Sequence, residues 1–376
     1  MNNSISTSVN FTFMNNFLDK KLEERAAANA MRELRIMENK IDFCSNDYLG
    51  IVKNKWLEEL TSPAIAHGST GSRLLSGNYQ LAEDTEKMIS YFHDAEAGLM
   101  FNSGYDANTG ILSCVPQKND TIIYDQLCHA SLRDGARLSL ATTYSFLHND
   151  MPDLEKKLLV AKDGSQKFVV TESVFSMDGD LAPLSDIAAL CEKYSVALIV
   201  DEAHATGVIG EKGEGQVQKL NLQNKCFARI HTFGKACGAH GAIILGSEKL
   251  KKYLINFSRP FIYSTSLPPS AVAAIAASYK IFPTMGKERS ELEKLIEIFQ
   301  GLDLKYQKLP SETPIQVVII PGNEEVKKVA DDLQQNNFDI RPILYPTVPK
   351  GGERLRIVLH SFNTKDEIEK MAAIFC

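Results

Sequence analysis

Short apolar runs rich in β-branched residues recur at 97–101, 121–124, 168–171, 196–200, 229–233 and 242–245. Runs such as Ser195-Val196-Ala197-Leu198-Ile199-Val200 are apolar without alternation, which suits central strands covered on both faces. With helices expected between them, they imply an α/β fold: a mostly parallel sheet flanked by helices. Residues 15–35, with Leu18, Leu22 and the Ala26-Ala27-Ala28 cluster, read as an amphipathic helix, and 79–92 reads as another. The alanine-rich stretch 270–282, ended by Pro283, begins the passage into a C-terminal α+β part with strands at 316–320 and 355–359. The expected division is an N-terminal helix and arm (1–50), a large domain (51–275) and a smaller C-terminal α+β domain (276–376). A chain of 376 residues is long enough for both cores. The polar start, residues 1–14, is expected to fray.

A formal charge of −6 without a basic run argues against a nucleic-acid partner. The seven cysteines, at 44, 114, 128, 191, 226, 237 and 376, show neither a disulfide spacing nor a zinc spacing. No metal is expected, and a reducing compartment is. No apolar run approaches the roughly 20 residues of a membrane span, and no leader pattern opens the chain. The expected location is the cytoplasm, with no membrane partner.

Two motifs carry the chemistry. Asp201, in Val200-Asp201-Glu202-Ala203-His204-Ala205-Thr206-Gly207, ends an apolar run, and ligands of open α/β sheets bind at carboxyl ends of strands. An aspartate there either caps the next helix or faces a ligand. Against a pyridine nitrogen about 4 Å away, at an effective dielectric near 20, it interacts by roughly 4 kcal/mol. That raises the ring nitrogen's pKa by roughly three units. Lys235, in Thr232-Phe233-Gly234-Lys235-Ala236-Cys237-Gly238, has small neighbours and an apolar strand beyond it. Partial burial there favours the neutral, nucleophilic amine. Together the pair suits pyridoxal 5'-phosphate held as a Schiff base, with the ring kept protonated as an electron sink. His204 lies within reach of the same ligand if the loop turns, and otherwise bonds to backbone. Asn102-Ser103-Gly104-Tyr105 follows a strand and opens a helix. Its amides at Ser103, Gly104 and Tyr105 form either an anion site or an ordinary turn.

These runs resemble the α-oxoamine synthases, fold-type-I pyridoxal-phosphate enzymes that condense an amino acid with an acyl thioester and release carbon dioxide. The likeness extends from Ser45-Asn46-Asp47-Tyr48-Leu49-Gly50 to Glu353-Arg354-Leu355-Arg356. It takes in Gly71-Ser72-Arg73-Leu74-Leu75-Ser76-Gly77-Asn78, Cys128-His129-Ala130-Ser131, Phe175-Ser176-Met177-Asp178-Gly179-Asp180 and Tyr263-Ser264-Thr265-Ser266. The resemblance implies a homodimer with shared sites, in which Thr265 of the neighbouring copy completes the phosphate pocket. It stacks His129 on the ring, puts Ser176 and His204 near the ring hydroxyl and Thr232 near the phosphate, and turns Asn46 toward substrate. The most similar branch serves biotin biosynthesis, joining L-alanine to a pimeloyl thioester on coenzyme A or a carrier protein to give 8-amino-7-oxononanoate. Glycine C-acetyltransferase and serine palmitoyltransferase are the alternatives. A silent partner subunit would be expected to lack the lysine, whereas Lys235, Asp201 and His204 all stand.

Substrate carboxylate recognition departs from the pattern. The biotin branch carries an arginine three residues before the threonine of its Thr-Val-Pro run, and here that position is Leu344. Arg341 falls on the opposite face of a regular strand. Arg354 and Arg356 share one face and suit a bidentate carboxylate contact, or else a solvated strand face. The resemblance favours Arg356, which matches the arginine of the acetyltransferase branch. Arg32 matches one that approaches the acyl-chain carboxylate, and by itself reads as a surface arginine. Other enzyme classes fail on missing motifs. Asp201-Glu202-Ala203-His204 spells a helicase box, but no phosphate loop accompanies it. No Gly-x-Ser-x-Gly elbow exists for a serine hydrolase.

Overall fold

The computed structural model describes residues 12–61, 65–161 and 165–374, with side chains from residue 18 onward. Of the start expected to fray, residues 1–11 lie outside the described residues, as does Cys376, while 12–14 belong to a helix. The large sheet has seven strands in the order Ala97–Phe101, Ala242–Gly246, Ala228–Thr232, Ala197–Asp201, Lys167–Glu172, Thr121–Asp125, Thr142–Phe146. All run one way except Ala242–Gly246, which is antiparallel to both its neighbours. The cause is chain length: a parallel return needs a crossover of a dozen or more residues, and only 233–241 separate it from Thr232. Along this strand Ile243 and Leu245 join one apolar core while Ala242 and Ile244 join the other. The period of two thus divides the layers on the sheet's two faces.

Six of the seven strands coincide with the apolar runs to within a residue or two at each end. Thr142–Phe146 had no such signal because it is an edge strand, largely exposed and paired only with Thr121–Asp125. The first helix also differs from expectation, spanning Thr12–Ala27 rather than reaching residue 35. Asn29 turns the chain through a left-handed φ of 50°. Leu18 and Leu22, expected to pack, are 45% and 50% exposed, so within this chain no core holds a longer helix. Arg32 consequently sits on an exposed segment beyond the helix.

A smaller antiparallel sheet follows, in the order Arg341–Ile343, Arg354–Val358, Ile315–Ile319, Gln307–Lys308. The segment after the first helix packs onto it: Ile41–Asp42 pairs in parallel with Phe338–Asp339. Phe43, Tyr48 and Leu49 enter the same core as Val317, Leu355 and Ile357. Both sheets grip one loop. The Gly179 carbonyl, just beyond Lys167–Glu172, accepts hydrogen bonds from Ser311 Oγ and Thr313 Oγ1, each at 2.8 Å. Gly179 has φ +75°, and a Cβ there would collide with the Ile315 carbonyl. Gly179→Ala is expected to lower stability by about 2 kcal/mol or more. Urea unfolding checks this, and a loss under 0.5 kcal/mol (, roughly the neutral range) would show that the loop yields.

Candidate active site

The carboxyl edge of the large sheet gathers its chemistry through strand register. Glu172 and Asp201 are paired residues at the ends of adjacent parallel strands, so two carboxylates lie side by side. Both are buried, at 2% and 5% exposure. Asp201 is held by the Ala203 amide (2.9 Å) on Oδ1 and by Asn108 Nδ2 (2.7 Å) on Oδ2. Asn108 projects from the helix Gly104–Cys114 and also donates to Ser131 Oγ at 3.0 Å. Burial and the Asp201 charge push Glu172 well above the usual carboxylate range, which favours its neutral form.

Lys235 projects from the short connection 233–241, its Nζ 3.3 Å from Thr232 Oγ1. Burial lowers its ammonium pKa, against the opposing pull of Asp201 and Glu172. His129 caps the helix Ala130–Leu138; its Nδ1 accepts the Ser131 amide at 3.2 Å and meets Ser131 Oγ at 2.7 Å. With Nδ1 accepting, the proton of the neutral ring sits on Nε2. Burial, and to a smaller degree Lys235, keeps His129 neutral by lowering its pKa, although Asp201 pulls the other way.

His204 is buried, and its Nδ1 lies 2.7 Å from the Tyr48 hydroxyl. Tyr48 donates onward to Asn46 Oδ1 at 3.1 Å, so His204 donates from Nδ1. Burial, reinforced by Lys235 and Arg356, holds His204 well below its ordinary pKa, and burial pushes Tyr48 up to about 12. Asn46 Oδ1 also accepts from an Arg356 terminal nitrogen at 3.0 Å, while Arg356 Nε donates to the Ser176 carbonyl at 2.6 Å.

One open cleft of ≈ 420 Å³ is lined by almost all of these groups. Lys235, Asp201, His204, His129, Asn46, Ser176, Thr232, Arg356 and the Ser103-Gly104-Tyr105 turn all line it. Thr265 does not reach it within one chain; it lines a separate hollow beside Arg73 and Asn102. Arg32 is likewise outside, its guanidinium donating to Thr347 Oγ1 at 3.0 Å. The arginines separate clearly. Arg354 is ion-paired with Asp178, and Arg341 with Asp339 at 3.2 Å. Arg356 forms no ion pair among the described residues, and of the three it alone lines the cleft. Leu344 packs against the core of the small sheet. Sequence reasoning missed Glu172, Asn108, Ser131 and His240, which also line the cleft. Glu172 carried a usable signal, since it ends the run 168–171 as Asp201 ends 196–200.

The class I and II aminotransferase family matches residues 38–375. The chain belongs to that family. It is 38% identical over 381 residues to an 8-amino-7-oxononanoate synthase of Emericella nidulans, covering 94% of this chain and 92% of that one. Among solved structures it is similar to a Sphingomonas wittichii serine palmitoyltransferase, with TM-score 0.87 and 28% identity over 96% of this chain and 97% of that one. It is similar as well to an 8-amino-7-oxononanoate synthase from Francisella tularensis, with TM-score 0.74 and 29% identity over 90% and 97%. The chain is therefore a pyridoxal-phosphate enzyme, an acyltransferase of the α-oxoamine synthase type.

The cleft suits that cofactor. Gly104 opens a helix N-terminus so close to Thr232 that a Cβ would come within 2.6 Å of its Cγ2, so the bare backbone there fits an anionic group. Asp201 offers an acceptor for a ring N–H, and Lys235 a partly desolvated amine. The lysine's cost to the cofactor-free fold is testable. Its folded pKa lies below the unfolded value of roughly 10.4. Between the two, the unfolded chain binds more protons, so wild-type stability should rise with pH across that window. Cofactor-free Lys235→Met, which has no such group, should therefore lose its stability advantage as pH climbs toward 10. Urea midpoints of both proteins at a series of pH values measure the gap; a gap independent of pH would contradict the depressed pKa.

Proposed function

We propose that this enzyme condenses L-alanine with a pimeloyl thioester to form 8-amino-7-oxononanoate, acting in the cytoplasm as a homodimer. The observation that carries the chemistry is the convergence of Lys235, Asp201, His129, His204 and Arg356 on one cleft. The relatives named 8-amino-7-oxononanoate synthase support the choice of substrates. In the net reaction the bond from the alanine Cα to its carboxyl carbon breaks, and one from Cα to the acyl carbonyl forms. Carbon dioxide and the free thiol depart, and one proton is taken up.

When bound, the cofactor supplies an electron-accepting ring for the pair left at Cα. Lys235 is assigned two tasks: its Nζ anchors the cofactor at rest, and the freed amine takes the α-proton and later returns a proton. Asp201, oriented by Asn108 and the Ala203 amide, holds the proton on the ring nitrogen. His129 would pack against the ring, and neutral His204 and Ser176 would offer hydrogen bonds to its hydroxyl. Thr232 and the amides of Ser103, Gly104 and Tyr105 take the phosphate, with Thr265 supplied by the second copy.

Arg356 binds the alanine carboxylate, fixed through Nε on Ser176 and through a terminal nitrogen on Asn46. That leaves the rest of its fork for a bidentate contact. Arg32, steadied by Thr347, is assigned to the distal carboxylate of the acyl chain.

The activity test mixes purified enzyme and cofactor with alanine, glycine or serine against pimeloyl, acetyl or palmitoyl thioesters, following thiol release. Alanine with the pimeloyl thioester should be fastest; release confined to glycine with acetyl-CoA would overturn the substrate assignment, and a preference for serine with a palmitoyl thioester would favour the neighbour's chemistry. Lys235→Ala should lower kcat by at least a thousandfold. Arg356→Lys should raise the alanine KM by roughly 30-fold, about 2 kcal/mol of charge-assisted hydrogen bonding. An unchanged KM would remove Arg356 from carboxylate binding.

A further inference from the structure

Two loops form one wall of the cleft. The first, after the strand Thr121–Asp125, delivers His129; the second, after Lys167–Glu172, carries Ser176. Between them, outside the cleft, stands His148, just beyond the edge strand Thr142–Phe146. Its Nδ1 lies 2.9 and 3.1 Å from the two carboxylate oxygens of Asp125, and its Nε2 lies 2.7 Å from Asp180 Oδ2. Asp125 is fully buried. Only an imidazolium donates from both nitrogens at once. Burial works against that charge, but the hydrogen bonds and charges of Asp125 and Asp180 overcome it and raise the ring to about 10.

Asn149 doubles the bridge. Its amide donates to Asp125 Oδ2 at 2.9 Å and its side chain to Asp180 Oδ2 at 2.8 Å. Phe175 meets the His148 ring edge-on, with centroids 4.4 Å apart. The Phe175 amide also donates to the Asp180 carbonyl at 3.0 Å, closing the second loop on itself. That loop is where Arg356 is fastened, because the Ser176 carbonyl accepts its Nε. Arg354 is tied two residues further on, at Asp178. Held on one side by the arginines of the small sheet, the loop is held on the other by His148.

We propose that His148, bridging Asp125 and Asp180, is a positioning residue that sets Arg356 for the amino-acid carboxylate by anchoring the 175–180 loop. The inference rests on the assignment of Arg356 made above, and it separates from that assignment experimentally. Asparagine at 148 cannot span both aspartates. His148→Asn should raise the equilibrium Kd for L-alanine, read from the change in cofactor absorbance, about tenfold. Its KM should rise in parallel, while kcat stays within about threefold and cofactor affinity is unchanged. In an Arg356→Lys background the same change should add less than twofold, since both act on one contact. Asp180→Asn, which keeps shape and removes the charge, should repeat the effect if His148→Asn fails to fold. A normal alanine Kd in a folded His148→Asn or Asp180→Asn enzyme would overturn the proposal, as would full additivity with Arg356→Lys. If Arg356→Lys alone leaves alanine binding intact, the carboxylate assignment fails instead, whatever His148 does.

Discussion

The connection 233–241 is the constraint on which the site depends. It is too short for a helical crossover, so Ala242–Gly246 must return antiparallel inside an otherwise parallel sheet. The turn is thereby pinned at the carboxyl edge, with Lys235 in it, beside the strand that ends in Asp201. Helix crossovers elsewhere keep every other strand pointing to that same edge, where Ser103, His129 and Ser176 all emerge. A longer connection would free the lysine from this register and from its partial burial.

Electrostatics at the edge follow from that packing. Two buried carboxylates side by side cannot both carry full charge cheaply. Asp201 receives Asn108 and the Ala203 amide; Glu172 accepts the His129 amide, but burial and the Asp201 charge outweigh that hydrogen bond and push its pKa up. His204 and His129 are kept neutral by burial with Lys235 nearby, so they offer orientation and single N–H donors instead of further positive charge. Among the described residues lining the cleft, Arg356 supplies the guanidinium, which is why the proposal above assigns the substrate carboxylate to it.

Much of this was legible in the chain. Apolar runs located six strands of the large sheet, and a charged residue ending such a run identified Asp201. Small residues around Lys235 signalled close packing. Edge positions were silent: Thr142–Phe146 is exposed along most of its length and lacks the continuous apolar signal, and His148 beyond it went unread for the same reason. The first helix was overextended because Leu18, Leu22 and the alanine cluster read as an amphipathic face, whereas both leucines are exposed and the chain turns at Asn29.

The sequence by itself determined the α/β order, the carboxyl edge of the sheet as the ligand side, and the lysine and aspartate near it, because these follow from local apolar patterning and from which residues end the strands. Among the arginines the resemblance favoured Arg356, but only the tertiary structure shows which of them lines the cleft. Arg341 and Arg356 are register partners, and Arg354 lies two residues from Arg356, so periodicity treats them nearly alike. Asp178, distant in sequence, neutralises Arg354; Asp339, two residues before Arg341, neutralises that arginine; Arg356 is left lining the cleft. The pairing of Arg354 with Asp178 and the approach of Arg356 to the cleft are long-range properties of the fold, and no local pattern encodes them.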